Sequence, residues 1–163
     1  MKYLLLFFFI TVFSVGSNSQ NNIPAVSKGD IIFYVDCTSF KGKESNSLTE
    51  FYLMLFADQV KLIQKSGKNF ALLNIISKIK KNGEILSEKE WQTEALIKQD
   101  SADIKNLIVY DQWSENLEPG EYQVNIKLSD ENSENKAEAE FILNVPSFSD
   151  EKFSASEIQF ITS

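Results

Sequence analysis

Two of the side chains on which hydrolytic enzymes most often depend do not occur in this chain of 163 residues. There is no histidine, and all 16 basic residues are lysine. Without imidazole there is no general base titrating near neutrality, no Ser–His or Cys–His nucleophile pair and no His-ligated metal. Without arginine there is no bidentate clamp for phosphate or carboxylate. A genome biased toward Lys, Asn and Ile codons explains this composition more simply than selection against two residue types. Carboxylates remain. A glycosidase needs two of them facing each other across a sugar, one with a raised pKa. Asp30, Asp36, Glu50, Asp58 and Asp111 fall at strand ends or in loops, and nothing in their spacing pairs them. Catalysis is not expected.

Metal and cofactor chemistry fares no better. Asp130 to Asn135, Asp-Glu-Asn-Ser-Glu-Asn, has the opening of a calcium loop. It lacks the glycine at the sixth place and the acidic residue at the twelfth, which is Phe141. A polar hairpin tip accounts for it. No Gly-rich phosphate loop and no Cys/His metal set occurs, so no cofactor is expected. The aromatics offer a different chemistry. Trp91, Trp113 and Tyr110, with Tyr52, could line a face that binds sugar or peptide, or could equally fill the core as large aromatics usually do.

Composition bounds the partners. A formal net charge of −7 argues against nucleic acid, whose backbone is held by clustered positive charge. It also disfavours attachment to anionic lipid. The apolar fraction of 43%, with 13 phenylalanines, is that of a chain able to build a core, and its length suits one domain.

The amino terminus reads as an address. Met1-Lys2 precedes an apolar run from Tyr3 to Phe13, followed by Ser14-Val15-Gly16-Ser17. A positive start, a short apolar stretch and small residues at the cut define a secretory signal. Cleavage is expected after Gly16, with Ser19 an alternative, giving an exported, periplasmic or surface-associated protein with no transmembrane span in its mature form. The rival is an uncleaved anchor, for which the run is short. Cys37 is the only cysteine, too far along to be acylated as a lipoprotein cysteine and unable to form an internal bridge. It reads as a small buried hydrophobe beside Ile31–Val35.

After a polar lead-in over 17–28, strand-length apolar runs alternate with turn signals from 29 to 146, and a C-terminal segment follows over 147–163. Asp30 to Asp36 is the first strand, and Leu48 to Phe56, apolar on both faces, is a central one. Phe70 to Ile79 fits either period, but Asn82-Gly83 between Ile79 and Ile85 is a strong hairpin signal and decides for strand. Ser87 to Ala95 stays open between a capped helix and a short strand. Pro119-Gly120 turns the chain into Tyr122, Val124, Ile126 and Leu128, which alternate with polar residues as a half-buried strand does. Tyr122 just after that turn has the placing of a tyrosine corner. Ala137 to Val145 returns. About seven strands in this length predict an all-β, immunoglobulin-like antiparallel β-sandwich.

Val35-Asp36-Cys37-Thr38-Ser39-Phe40-Lys41-Gly42, followed by Phe51-Tyr52, resembles the start of bacterial GWxTD domain-containing proteins. Phe70-Ala71, Gly83, Trp91, Leu117-x-Pro-Gly-x-Tyr122, Phe148-Ser149 and Ser156-Glu157-Ile158 continue the likeness in order, over roughly residues 30–161. The resemblance implies an exported protein of bacteroidetes-type bacteria with an immunoglobulin-like amino-terminal region, followed in the family by a domain of unestablished function. Here Gly-Trp-x-Thr-Asp itself is absent, and no catalytic residue carries over. The apolar ending Ile158 to Ile161 favours a chain cut at a domain junction over a free-standing sandwich. The expected function is a non-enzymatic binding or assembly module of the cell envelope. Envelope proteins would add a strand at Tyr34–Val35 or Phe141–Val145. The alternative is an accessory carbohydrate-binding domain using exposed Trp91 or Trp113. The sequence leaves the oligomeric state open.

Overall fold

A computed structural model describes residues 24–97 and 104–148. The signal, most of the lead-in and the chain beyond Phe148 lie outside the described residues. Ten strands run in chain order: β1 (Ala25–Val26), β2 (Lys28–Gly29), β3 (Phe33–Lys41), β4 (Ser47–Phe56), β5 (Ile63–Lys65), β6 (Lys68–Lys81), β7 (Glu84–Ile97), β8 (Ile108–Leu117), β9 (Gly120–Asp130) and β10 (Lys136–Val145). Among the described residues no helix is long and apolar enough to cross a membrane.

All pairings are antiparallel, and they form two sheets. The first has the order β1-β3-β4-β8. In the second, β2-β10-β9-β6 is flanked by β7 along the length of β6, and the short β5 hairpins onto the end of β6 that β9 leaves free. Seven strands are long, and three short ones trim the edges. Consecutive long strands swap sheets between β4 and β6, β7 and β8, and β8 and β9, which gives the crossed connectivity of an immunoglobulin-like sandwich. The fold is the expected one.

Alternation drives the layering, since successive strand side chains point to opposite faces. Phe51, Leu53 and Leu55 of β4 meet Ala71, Leu73 and Ile75 of β6 and Tyr122, Val124, Ile126 and Leu128 of β9 in one buried core. Each fully buried Leu, Ile or Phe contributes about 1.5–3 kcal/mol relative to exposure. Cys37 is half-buried against this core, in keeping with a packing role.

Ser87 to Ala95, left open by the sequence, is strand throughout: β7 pairs with β6 from Asn69↔Ile97 to Lys81↔Glu84. The hairpin at Asn82-Gly83 places both residues at positive φ (53° and 86°), the conformation that a two-residue turn between twisted strands requires. The corner before β9 is tied as expected, with the Tyr122 hydroxyl donating to the Glu118 carbonyl at 2.7 Å.

The lead-in differs from expectation. Its last residues form β1 on the first sheet and β2 on the second, so one short segment crosses between the sheets. Ser27 makes the crossing: its Oγ donates to the Ile31 carbonyl and accepts the Phe33 N–H, both at 2.8 Å. Gly29, at φ +135°, then lies so close to β10 that a Cβ there would stand 2.4 Å from the Lys136 carbonyl oxygen. Two-residue strands leave no periodicity for a sequence reading to detect.

Candidate functional site

Two regions bring candidate side chains together, and they lie on opposite sides of the first sheet. The inner one is a seam where β7 of one sheet overlies β8 of the other. Asp111, Trp113 and Glu115 alternate inward from β8. Trp91 Nε1 donates to Asp111 Oδ2 at 2.9 Å, the Thr93 hydroxyl donates to the same oxygen, and the Gln112 N–H reaches Oδ1 at 2.7 Å. Farther along, Lys89 Nζ lies 2.8 Å from Glu115 Oε1, which also accepts the Ser87 hydroxyl at 3.0 Å. Trp113 stacks on Phe51 with ring centroids 5.1 Å apart and planes 4° from parallel, and Trp91 leans against Trp113 at 5.1 Å. Both indoles are half-buried against the core. Their geometry is that of a clamp between sheets.

The candidate carboxylates do not converge. Asp111 is held by Trp91 and Thr93, Glu50 accepts from the Tyr52 hydroxyl, Asp36 from the Cys37 N–H at 2.8 Å and Asp30 from the Lys136 N–H at 3.3 Å. Asp130 is buried in its hairpin tip, accepting the Lys61 N–H at 2.7 Å, the Ser133 hydroxyl at 2.6 Å and the Asn132 N–H at 3.0 Å. Those bonds are the work of a turn.

Tyr110 stands apart from the two tryptophans. It has the opposite parity on β8, so it points outward and is 60% exposed. Register then assembles its neighbours. Val26 is opposite Tyr34, Tyr34 opposite Met54, and Met54 opposite Tyr110, one row across four strands. Directly opposite residues share a face, with Cβ atoms about 4.5–5.5 Å apart. Phe56 is opposite Ile108 in the next row, which Ile32 extends. Ile32 is fixed there by Gln59, whose amide accepts the Ile32 N–H at 2.7 Å and donates to its carbonyl at 3.0 Å, in place of a strand neighbour. Val26, Ile32, Phe56 and Tyr110 are all more than a third exposed, and none of the seven residues in the two rows is charged.

The expected strand-addition sites divide in the same way. Tyr34–Val35 is not an open edge, because β1 pairs with it (Ala25↔Val35, Val26↔Tyr34). On β10, by contrast, β2 takes only Ala137 and Glu138 on the side away from β9. The edge of Phe141–Val145 beyond it has no strand neighbour among the described residues.

The fold and this geometry define a class, the immunoglobulin-like β-sandwich with an uncharged aromatic patch on the outer face of one sheet. No known family model matches the chain, and no curated protein does. Among solved structures, the crystal structure of chicken MD-1 complexed with lipid IVa is similar over 72% of this chain and 96% of that one, at 8% identity and a TM-score of 0.26. A likeness at that level of superposition carries no functional weight.

Proposed function

We propose that the chain is an exported, non-enzymatic binding or assembly module of the bacterial cell envelope, and that its contact surface is the uncharged half of the outer face of the first sheet. The leader-like amino terminus and the resemblance to the amino-terminal region of GWxTD domain-containing proteins support export. One observation carries the choice of surface: the row Val26, Tyr34, Met54, Tyr110 beside Ile32, Phe56 and Ile108. In a chain with 24% charged residues, seven adjoining outward side chains without a charge form a patch of interface composition. The cores of protein interfaces are enriched in Tyr, Phe and Met and depleted of charge, and contiguous exposed apolar patches mark contact sites. The mixture of aliphatic and aromatic side chains favours a protein partner.

Tyr110→Asp tests this reading. Capture from a detergent-treated envelope fraction should return a reproducible partner with the parent chain and lose it with the variant. The unfolding midpoint should hardly move, since exposed substitutions usually change stability by about 0.5 kcal/mol or less. Equal capture by both chains would sink the proposal. The sugar-binding alternative would have to use Tyr110 with Tyr34, because the tryptophans are engaged between the sheets. A second protein-binding route is strand addition by an envelope protein at β10, favoured by the edge that β2 leaves uncovered.

A further inference from the structure

Backbone polar groups alternate between the two sides of an antiparallel strand. On β10 the Asn135 carbonyl accepts the Asp130 N–H at 3.0 Å, so odd-numbered residues bond toward β9. The Lys136 carbonyl accepts the Asp30 N–H at 2.8 Å, so even-numbered residues bond toward β2. Past Glu138 that neighbour ends, and Glu140, Ile142 and Asn144 point N–H and C=O outward without a backbone partner among the described residues. Exposed edges invite pairing and are normally blunted by charge or by inward-turned ionic groups. Two of the other long edges carry such charges: β7 has Glu88, Glu90 and Glu94, beside the exposed Leu86 and Leu96, and β8 turns Asp111 and Glu115 inward. The uncovered stretch of β10 has Ile142 at its centre, 52% exposed, between Glu140 and Asn144.

We propose that this edge pairs with the same edge of a second copy of the chain, antiparallel across a two-fold axis at Ile142, joining the two second sheets into one. The inference rests on the edge being a strand acceptor, the second route named above, and commits it to one occupant. Charge selects the register. With the axis at Ile142, Ile142 meets its own twin and Glu140 meets Asn144 of the other copy. With the axis at Glu140, two carboxylates face each other, which is destabilising. With the axis at Asn144, Ile142 faces Pro146, which has no N–H to donate. The Ile142 register also ends where it must, because the next position along, Glu138, is already held by Lys28 of β2. A two-fold contact of this kind is closed, so it makes a dimer and not a filament.

Sedimentation velocity of the mature chain over a concentration series tests the proposal. The parent chain should pass from monomer to dimer as concentration rises. I142E and I142K should each remain monomeric over the same range, since each places like charges on the axis. An equimolar mixture of the two should recover the dimer, because Glu then faces Lys. Ile142 is solvent-facing, and unchanged unfolding midpoints establish that both variants fold. A parent chain that stays monomeric throughout overturns the proposal, and capture of an envelope protein by that monomer, lost in I142P, would leave the edge reading standing. Dimers that persist in both single variants overturn it, as does a mixture that stays monomeric. A dimer abolished by Tyr110→Asp would place the contact on the aromatic face and overturn it too.

Discussion

If Asp111 holds the two sheets together through Trp91, the energies of the two residues must be coupled. The perturbations are Asp111→Ala, Trp91→Phe and the double variant. Phenylalanine keeps an aromatic ring against Trp113 while removing the Nε1 donor that now lies 2.9 Å from Asp111 Oδ2. Hydrogen bonds to charged groups contribute about 1.5–3 kcal/mol when water is excluded. Both residues are half-buried, so water replaces part of the bond and the expected coupling falls to about 1–1.5 kcal/mol. Asp111→Ala alone also releases the Thr93 hydroxyl and should cost about 2 kcal/mol. Urea unfolding followed by far-ultraviolet circular dichroism is the suitable assay, because the cycle removes a fluorophore. Additive single effects, with a coupling below about 0.3 kcal/mol, would refute the clamp.

Tyr122→Phe deletes the hydroxyl of a buried ring that ties the corner at Glu118, and should lower stability by about 1 kcal/mol, read as a drop of a few degrees in the thermal midpoint. The same hydroxyl lies 3.4 Å from Lys81 Nζ, and this bond, with the Glu118 carboxylate in support, raises the Lys81 pKa above its ordinary 10.5. A raised pKa means that the Lys81 contribution is complete below 10.5 and is lost as pH climbs through the folded value. The stability difference between the parent and Lys81→Met should therefore shrink at alkaline pH; a difference that widens would contradict the pairing. Gly29→Ala forces a Cβ against the Lys136 carbonyl at a φ that side chains avoid. It should cost about 1–3 kcal/mol and raise hydrogen exchange at the Asp30 amide, which protection equal to the parent's would rule out.

How much of this was legible beforehand depends on whether the signal is local. The alternation from Tyr122 to Leu128 sits on a half-buried strand, and the pattern alone identifies it. Asn82-Gly83 works equally well because the turn geometry is fixed by two residues. Ser87 to Ala95 was illegible for the opposite reason: its capping-box residues favour a helix locally, and only pairing with the whole length of β6 overrides them. The aromatic candidates failed to separate on a subtler point. Tyr110 and Trp113 differ in parity on one strand, so alternation already placed them on opposite faces. Which face is buried depends on Phe51 of β4, a contact across sheet register that no window of sequence contains. The inward charges of Asp111 and Glu115 made the buried parity look like the solvent side.

That inversion connects the seam to the surfaces left open. At the β7–β8 side the sandwich is shut by two carboxylates that are costly to desolvate, and Asp111 and Glu115 are acceptable there because each finds a partner on the facing sheet. The arrangement takes the carboxylates of β8 inside and blunts that edge with them. The apolar character withheld from those inner positions reappears outside, at Tyr110 and Phe56 on the first sheet and at Ile142 on the β10 edge. None of these three belongs to the buried core, so their exposure to water is unfavourable with no return in fold stability. Contact with another molecule is what would make them favourable, and the two surfaces lie on different sheets, so a chain paired through β10 would still present its aromatic face.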